Sequence, residues 1–363
     1  MTARRPRVCI VGSLVGRNPG RVTTQGEKLW DLLEAAGYPV IGVSTSMNRY
    51  VRLADIASTI TRRRAEIDVL VIFTYGLKSF VIEDMASMLG KRFGIPIIMT
   101  PCGGTLPWFM GRFPRWTARV LARADAFVCQ SSYLDRALRE RGHRPHVIPN
   151  IIDVAGYRHR QRERVRPRLF WMRTFEDLYN PLLALRTLAR VRERHPDATL
   201  VLAGQDAPFR TVVEARAREL GVADAVRYPG FLDLDGKQRA GDACDIFLNT
   251  PRIDNRPICV VEAAALGLPV VSTDVGGMRD LLEQEQTGLL VPDDDDRAMA
   301  DAVLRLVDDP ALASGLSARG RVLAEQSAIE LVRPQWERVL ADVVKRKPSP
   351  AVASPAAFTQ KVH

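Results

Sequence analysis

Two acidic residues, Asp254 and Glu262, frame the stretch DNRPICVVE, which continues as AAALGLPVVSTDVGG. Glu262 falls inside an apolar, helix-like run, and Pro257 suits the first position of that helix because its missing N–H is not needed there. Free amides and a partial positive charge at a helix start favour phosphate. Because carboxylates accept hydrogen bonds from hydroxyls, Glu262 suits a ribose diol and Asp254 suits sugar hydroxyls beside that phosphate. The closing Gly276–Gly277 would let backbone approach a ligand closely.

Plainer interpretations of these residues stay open on spacing alone. Asp254 could be a simple helix-start acid, Glu262 could face solvent, and Gly276–Gly277 could be only a turn. The apolar neighbours of Glu262 argue against a solvated face. The acidic run Asp293–Asp296 has the composition of a metal cluster, but its place before a predicted helix favours N-terminal capping, so we predict no metal site.

The elements that must position these residues alternate along the chain. Continuous Val- and Ile-rich runs, separated by helical patterns, indicate parallel strands buried on both faces and an α/β doubly wound fold. Examples are RVCIVGSL, DVLVIFTY and IPIIMTPC, and the alternation restarts at RLFWMR. Ligands of such sheets bind beyond the carboxyl ends of the strands, so the site is expected there, in a cleft between two domains.

The length of 363 residues also favours two domains. We predict domains at 1–160 and 161–330, with the charged segment at 155–167 as a linker. A C-terminal helix at 331–346 is expected to pack back on the first domain. The remaining Pro-, Ala- and Ser-rich tail, 347–363, is predicted to be disordered.

The net charge of +10 is unevenly placed. Residues 1–165 hold 26 Lys and Arg against 13 Asp and Glu, whereas residues 166–363 hold 26 against 29. This asymmetry indicates either an anionic partner for the first half or a general arginine bias. We find no recognised nucleic-acid module and no apolar run long enough for a transmembrane helix. Five scattered cysteines without a CxxC pair indicate reduced thiols and a cytoplasmic protein.

The stretch from Asp254 onward, continued as MRDLLEQEQTGLLVPDDD, resembles the carboxyl-terminal signature of glycosyltransferase family 4, a family of retaining GT-B enzymes. The shared features are two acids separated by seven residues, a small-residue helix, G-x-P-V-V, Gly-Gly and T-G-L-L-V-P. Weaker similarities cover most of the chain, among them VIPNIID, GGTLPWF and PDATLVLAGQD. The resemblance implies two Rossmann-like domains facing across a cleft. It also implies transfer of a sugar, with retention, from a nucleoside-diphosphate sugar to a hydroxyl of a glycan, glycolipid or small molecule.

The resemblance also implies roles by position. Asp254 would contact donor-sugar hydroxyls and Arg173 would pair with the diphosphate, which makes these two the candidate catalytic residues, while Glu262 would hold the ribose. Further donor-binding positions would be Asn255, Arg256, Pro257, Ile258, Gly204, Gly230, Phe231, Gly20 and Thr24. Acceptor-side positions would be Cys102, Gly103, Gly104 and Trp108. No metal or organic cofactor is implied, since the nucleotide sugar is a co-substrate.

Two positions depart from the family pattern. Relatives often carry a second phosphate-binding cation, a Lys, where this chain has Tyr179 and Asn180. Either Arg173 works with another cation, such as Arg252 or Arg256, or donor binding is weak. Relatives also often have a His where Cys102 stands. A neutral thiol is a poor general base, but the leaving phosphate is thought to accept the acceptor's proton in this class. Charge stabilisation at the diphosphate would then supply most of the catalysis.

Aromatic residues and arginines interleave in PWFMGRFPRWTARVLARA, within the basic first half. This composition suits a membrane interface or a sugar face, and it is equally compatible with core aromatics beside solvated arginines. We therefore hypothesise an anionic membrane surface or a phosphorylated acceptor as partner. The expected location is the cytoplasm, with peripheral binding at the inner face of the plasma membrane, in keeping with cell-envelope polysaccharide biosynthesis.

Other functions on the same fold stay open. A degenerate, non-catalytic sugar-nucleotide-binding protein and a sugar-nucleotide epimerase are the alternatives. A phosphorylase would need a pyridoxal-phosphate lysine, and we expect none in the active loops, because Lys237 is the only lysine of the second domain before Lys345. A dehydrogenase is disfavoured because VGSLVG lacks the G-x-G-x-x-G spacing.

Overall fold

The computed structural model describes residues 4–18, 20–76 and 79–345. In these ranges the chain forms two six-stranded parallel sheets, each flanked by helices, with strand orders β2-β1-β3-β4-β5-β6 and β12-β11-β10-β7-β8-β9. The α/β architecture of two doubly wound domains is therefore confirmed. Within the same ranges no helix has both the length and the apolar character needed to cross a bilayer. The tail predicted to be disordered lies outside the described residues.

The first domain carries the sheet formed by β1 to β6. Its strands are β1 Val8–Val11, β2 Val40–Val43, β3 Val69–Thr74, β4 Ile97–Pro101, β5 Ala126–Cys129 and β6 His146–Val147. Its helices are α1 Gln25–Ala35, α2 Arg49–Arg62, α3 Phe80–Arg92, α4 Leu106–Arg112, α5 Pro114–Leu121 and α6 Ser132–Arg139. Every residue of β1, β3 and β4 is buried, which explains why these strands are continuously apolar rather than alternating.

The second domain repeats the arrangement. Its strands are β7 Arg168–Met172, β8 Thr199–Ala203, β9 Val226–Gly230, β10 Ile246–Asn249, β11 Val270–Thr273 and β12 Leu289–Val291. Its helices are α7 Pro181–Arg194, α8 Arg210–Glu219, α9 Leu234–Ala243, α10 Ile258–Ala265, α11 Met278–Leu281, α12 Asp296–Asp308 and α13 Pro310–Glu325. Asp295 caps α12 by accepting a hydrogen bond from the Ala298 amide, which gives the acidic run a structural role.

The chain crosses between the domains twice, and the two crossings lie side by side. Ile151 packs in the first domain's core and Ile152 in the second's, so core membership changes nearer residue 151 than the expected 160. The Ile152 amide donates to the Ser327 carbonyl at 3.0 Å, where the chain returns. The last helix, α14 Ile329–Lys345, then packs against α1 and β3 with Trp336 and Leu340 buried in the first domain's core.

The charged segment at 155–167, predicted as a linker, packs against the second domain through the side chain of Arg162. The Arg162 side chain is buried and donates to the carbonyls of Gly241 and Leu266, and to that of Cys244 at 3.3 Å. These carbonyls belong to the C-terminal ends of α9 and α10, where a cation satisfies orphan acceptors and the helix dipole together. Sequence composition could not distinguish this buried arginine from its solvated neighbours.

Candidate active site

A cleft of about 1670 Å³ separates the two domains and is lined by both. Its volume exceeds the roughly 300–1,000 Å³ of a usual small-molecule pocket, so it has room for two substrates. The carboxyl ends of the strands of both sheets open into it, as the fold predicts.

Arg173, directly after β7, pairs with Asp254 in the loop before α10, and both side chains line the cleft. Burial alone would lower the pKa of Arg173, but the Asp254 carboxylate raises it above its ordinary value, so the guanidinium stays charged. The Tyr179 ring lies 4.0 Å from the guanidinium carbon and Cys259 Sγ lies 3.6 Å from Nη1. Tyr179 thus stacks on the cation and adds no charge at the position where the resemblance implies a Lys.

The first turn of α10 faces the cleft. The helix begins at Ile258. Pro257 was expected at the first helical position, but it is the residue immediately before the helix. Such one-residue shifts are ordinary at helix ends. Pro257 makes no side-chain cap, so the amides of the first turn have no side-chain acceptor among the described residues and are open to a ligand anion.

Glu262 lies inside α10, 8% exposed, and its carboxylate also lines the cleft. Both the Tyr157 hydroxyl and Lys237 Nζ donate to Oε1, each at 2.7 Å. Burial, followed by the charge of Glu262, raises the pKa of the Tyr157 hydroxyl, so it stays protonated and donates. Because both contacts use Oε1, the carboxylate is held in one orientation and Oε2 remains for a ligand.

Lys237 is a cleft residue that the expectation of no lysine in the active loops did not cover, because it lies on a helix. It lies on α9, which starts four residues after the end of β9, and it lines the cleft. The pattern of strands predicts functional residues in the loops at the strand ends, whereas Lys237 lies one turn into the helix that follows such a loop. Tyr157 was missed because it falls in the segment interpreted as a linker.

Asn255 was expected to bind the donor, but its side chain points away from the cleft to the first domain. It accepts a hydrogen bond from the Ser131 hydroxyl and donates to the Cys102 carbonyl at 3.2 Å. It is 3% exposed and does not line the cleft, so its role is corrected to a domain contact. Arg136 adds a second contact, a two-pronged ion pair with Asp280 at 3.0 and 3.1 Å.

Glycines hold the loop of Asp254 in place. A Cβ on Gly276, whose φ is 57°, would overlap the Asp254 carbonyl oxygen, and one on Gly104 would lie 2.8 Å from the Asp254 carbonyl carbon. The loop backbone is therefore pressed between a second-domain glycine and a first-domain glycine. Gly276 and Gly277 were expected to let backbone approach a ligand closely. In the structure their close contact is with the backbone of Asp254 and Asn255.

The remaining donor-side positions divide into two groups. Gly20, Thr24, Gly204, Phe231, Arg256 and Ile258 line the cleft, and Gly230 does not. The Thr24 hydroxyl already caps α1 in a reciprocal pair with Glu27, so it has a structural role.

On the acceptor side, Cys102, Gly103 and Gly104 line the cleft, whereas Trp108 does not and is 60% exposed, which corrects its placement. Trp108 lies on the outward face of α4, while Phe109 on the next position is buried. Burial raises the pKa of the Cys102 thiol well above its usual range, so this thiol stays neutral.

The chain resembles sucrose-phosphate synthase from Thermosynechococcus elongatus, with a TM-score of 0.78 at 17% identity over 94% of this chain and 100% of that one. It also resembles Anabaena Alr3699/HepE, solved with UDP and glucose, with a TM-score of 0.73 at 15% identity over 93% and 100%. Fold and cleft together define a GT-B protein.

Two family models match the chain, "Glycosyltransferase Family 4" over residues 31–156 and "Glycosyl transferases group 1" over residues 166–309. The chain therefore belongs to the family 4 glycosyltransferases.

Curated relatives include a phosphatidyl-myo-inositol mannosyltransferase of Mycobacterium leprae, 27% identical over 69% of this chain and 67% of that protein. A glycogen synthase of Mycobacterium tuberculosis is 31% identical over 36% and 31%. An exopolysaccharide phosphotransferase of Streptomyces coelicolor is 28% identical over 46% and 18%. The chain thus spans less than a third of the length of the last two.

Proposed function

We propose that this protein transfers a glycosyl group from a nucleoside-diphosphate sugar to a hydroxyl acceptor, with retention of anomeric configuration. One observation carries the proposal. The Arg173–Asp254 pair, the open first turn of α10 and Glu262 all line one cleft between two doubly wound domains. A nucleoside-diphosphate sugar has a ribose, a diphosphate and a sugar. The cation and the amides suit the diphosphate, and the carboxylates suit the hydroxyls of the ribose and the sugar.

The donor is proposed to lie along α10. Glu262 Oε2 accepts hydrogen bonds from the ribose diol, while Arg173 and the first-turn amides take the diphosphate. Phe231 lies beside the base, and Asp254 meets the sugar hydroxyls. The base stays open, because HepE was solved with UDP-glucose and a mycobacterial relative is named for GDP-mannose.

The proposed reaction breaks the bond between the anomeric carbon and the diphosphate oxygen and forms one to the acceptor oxygen on the same face. The acceptor's proton passes to the leaving phosphate oxygen. Arg173 and the α10 amides stabilise the charge that develops on the diphosphate. Because these groups are the chain's own, we propose that no metal is required, and transfer is expected to continue in EDTA.

The acceptor is proposed to be a glycan or glycolipid held by the first domain. Phe109, Phe113 and Trp116 line that wall of the cleft and suit the apolar face of a sugar or a lipid. Phe113, 40% exposed, is the most accessible of the three, because Phe109 and Trp116 also pack against buried Phe80.

The junction of α4 and α5 is the proposed membrane contact. Trp108 and Phe113 are exposed there, together with Arg112 and Arg115. Apolar and cationic groups on one surface suit an anionic bilayer. We expect Trp108→Ser to reduce sedimentation with anionic vesicles and leave the background with neutral vesicles unchanged. Leu331→Ser, an equally exposed apolar site on α14, is the control, and equal binding by both variants would contradict the assignment.

The proposed activity is tested with UDP-, GDP- and ADP-sugars. We expect thermal stabilisation by one nucleotide series, and product formation whose anomeric configuration NMR can assign. Glu262→Gln should remove the stabilisation, and Glu219→Gln, an exposed carboxylate of α8, should not. If no nucleotide sugar stabilises the protein, the proposal fails. If one binds without any transfer, the non-catalytic binding protein becomes the better explanation.

A further inference from the structure

A diphosphate carries more than one negative charge, so a single cation does not neutralise it. Four basic residues of the second domain are candidates for this role, Arg173, Lys237, Arg252 and Arg256, and the first three already have an acidic partner. Arg173 pairs with Asp254 and Lys237 with Glu262. Arg252 lies 3.7 Å from Asp177 and 3.5 Å from Asp294, outside the cleft lining.

Arg256 is the one of these four that has no acidic partner among the described residues. It is a lining residue of the cleft, and its Nε and Nη2 are buried without a hydrogen-bond partner. Burial lowers the pKa of Arg256 to about 10, so the group still carries its charge at neutral pH. Burying a cation without an anion is unfavourable, and no ion pair of Arg256 occurs among the described residues, so the ligand-free cleft holds an uncompensated charge.

The backbone of Arg256 is held firmly although its side chain is unpaired. Asn150 Nδ2, from the first domain, donates to the Arg256 carbonyl at 2.8 Å. The residues on either side are Asn255, which bonds across the domain contact, and Pro257, which begins the approach to α10. The guanidinium is thus presented from a fixed loop, two residues before the first amide of the helix.

We propose that Arg256 binds the diphosphate of the donor and supplies the second phosphate-binding cation of this site. The inference rests on the proposed function, since it names a residue for that donor. A guanidinium gives planar, paired donors to phosphate oxygens, and its position beside the α10 amides lets one anion satisfy both. A cation from the loop before α10 would thereby take the place of the Lys that the family resemblance implies near Tyr179.

The test compares Arg256→Met and Arg256→Lys with Arg252→Met, which removes an arginine that has acidic partners. Affinities for inorganic pyrophosphate, UDP, GDP and the matching nucleosides are measured by calorimetry. We expect Arg256→Met to weaken diphosphate and pyrophosphate binding about tenfold to hundredfold and leave nucleoside binding unchanged. Arg256→Lys should restore part of the loss, and Arg252→Met should show none.

A second measurement separates binding from folding. Because Met removes an uncompensated buried charge, ligand-free Arg256→Met should melt at the same temperature as the wild type or higher. A lower melting temperature with unchanged pyrophosphate affinity would overturn the inference and make Arg256 structural. A loss confined to the acceptor's KM would overturn it too.

Failure of the inference and failure of the proposed function give different results. Arg256-dependent pyrophosphate binding without any nucleotide-sugar binding would sink the function and keep the anion site. If nucleotide-sugar turnover is the same in the wild type and in Arg256→Met, the proposed function stands and the role of Arg256 is wrong. If the wild type binds neither pyrophosphate nor nucleotides, both are wrong.

Discussion

Replacing Lys237 by Met tests whether the orientation of Glu262 determines ribose recognition. Lys237 Nζ lies 2.7 Å from Oε1, and the two side chains are only 21% and 11% exposed. Solvent screening, which weakens surface pairs, is therefore limited here. After the substitution Tyr157 is the remaining donor to that oxygen among the described residues, and the carboxylate is free to rotate.

The magnitude follows from the contact that is lost. A hydrogen bond to a charged group contributes roughly 1.5–3 kcal/mol, so the affinity for a nucleoside diphosphate should fall about 10- to 150-fold. The loss should not exceed that of Glu262→Gln, because Lys237 acts through the carboxylate. Tyr157→Phe removes a contact to the same oxygen from a neutral donor, and its effect should be smaller, about 1 kcal/mol.

The assay compares each nucleoside diphosphate with its 2′-deoxy and 3′-deoxy analogues. The wild type should discriminate against the analogues, and Lys237→Met should lose most of that discrimination. The double variant Lys237→Met/Glu262→Gln should be far from additive, with a coupling energy of about 1 kcal/mol or more. Pyrophosphate affinity should stay at the wild-type value, because no phosphate is involved.

Two results would refute this reasoning. Unchanged ribose discrimination in Lys237→Met would mean that the lysine does not orient Glu262. A marked loss of pyrophosphate affinity would mean that Lys237 binds the diphosphate directly, and its pairing with the carboxylate would then belong to the empty site alone.

Three further predictions concern the framework of the site. Arg162→Met should lower the free energy of unfolding by about 2–4 kcal/mol in urea titrations, because buried helix-end carbonyls lose their donor; a change below 0.5 kcal/mol would contradict that role. Gly104→Ala should push the domains apart, raising the radius of gyration in X-ray scattering and the KM for both substrates, while Gly111→Ala, which meets no atom within 4 Å, should do neither. Burial opposes the ionisation of Asp68, but hydrogen bonds from Arg7 outweigh it and hold the pKa of Asp68 at about 2. A depressed pKa stabilises the fold above the unfolded-state value near 4, so Asp68→Asn should cost about 1 kcal/mol at pH 7, after allowance for solvent screening, and the difference should vanish as the pH falls from 4 towards 2.

The sequence was informative wherever chain-local patterns decide the structure. Continuous apolar runs predicted the parallel strands, and the 42-residue signature at 254–295 located residues that meet in the cleft. Its spacing also placed Glu262 inside a helix and Asp254 just before it, as the structure has them.

What the sequence did not predict depends on contacts between distant segments. Lys237 reaches Glu262 from another helix, and Arg162 is buried by carbonyls that its neighbours in sequence do not reveal. Asn255 lies between two predicted ligand-binding residues, yet its partner Ser131 is on the other domain. Spacing along the chain identifies a loop, whereas tertiary contacts decide which way each side chain of that loop points.

The return of the chain through Ser327 to α14 has a consequence for biosynthesis. Trp336 and Leu340 complete the core around β1 and β3, yet they leave the ribosome after the whole second domain. The first domain, although translated before the second, therefore cannot bury its full apolar surface until α14 has been synthesised. During that interval the second domain can already be folded, so the domain made later of the two is the first able to complete its core.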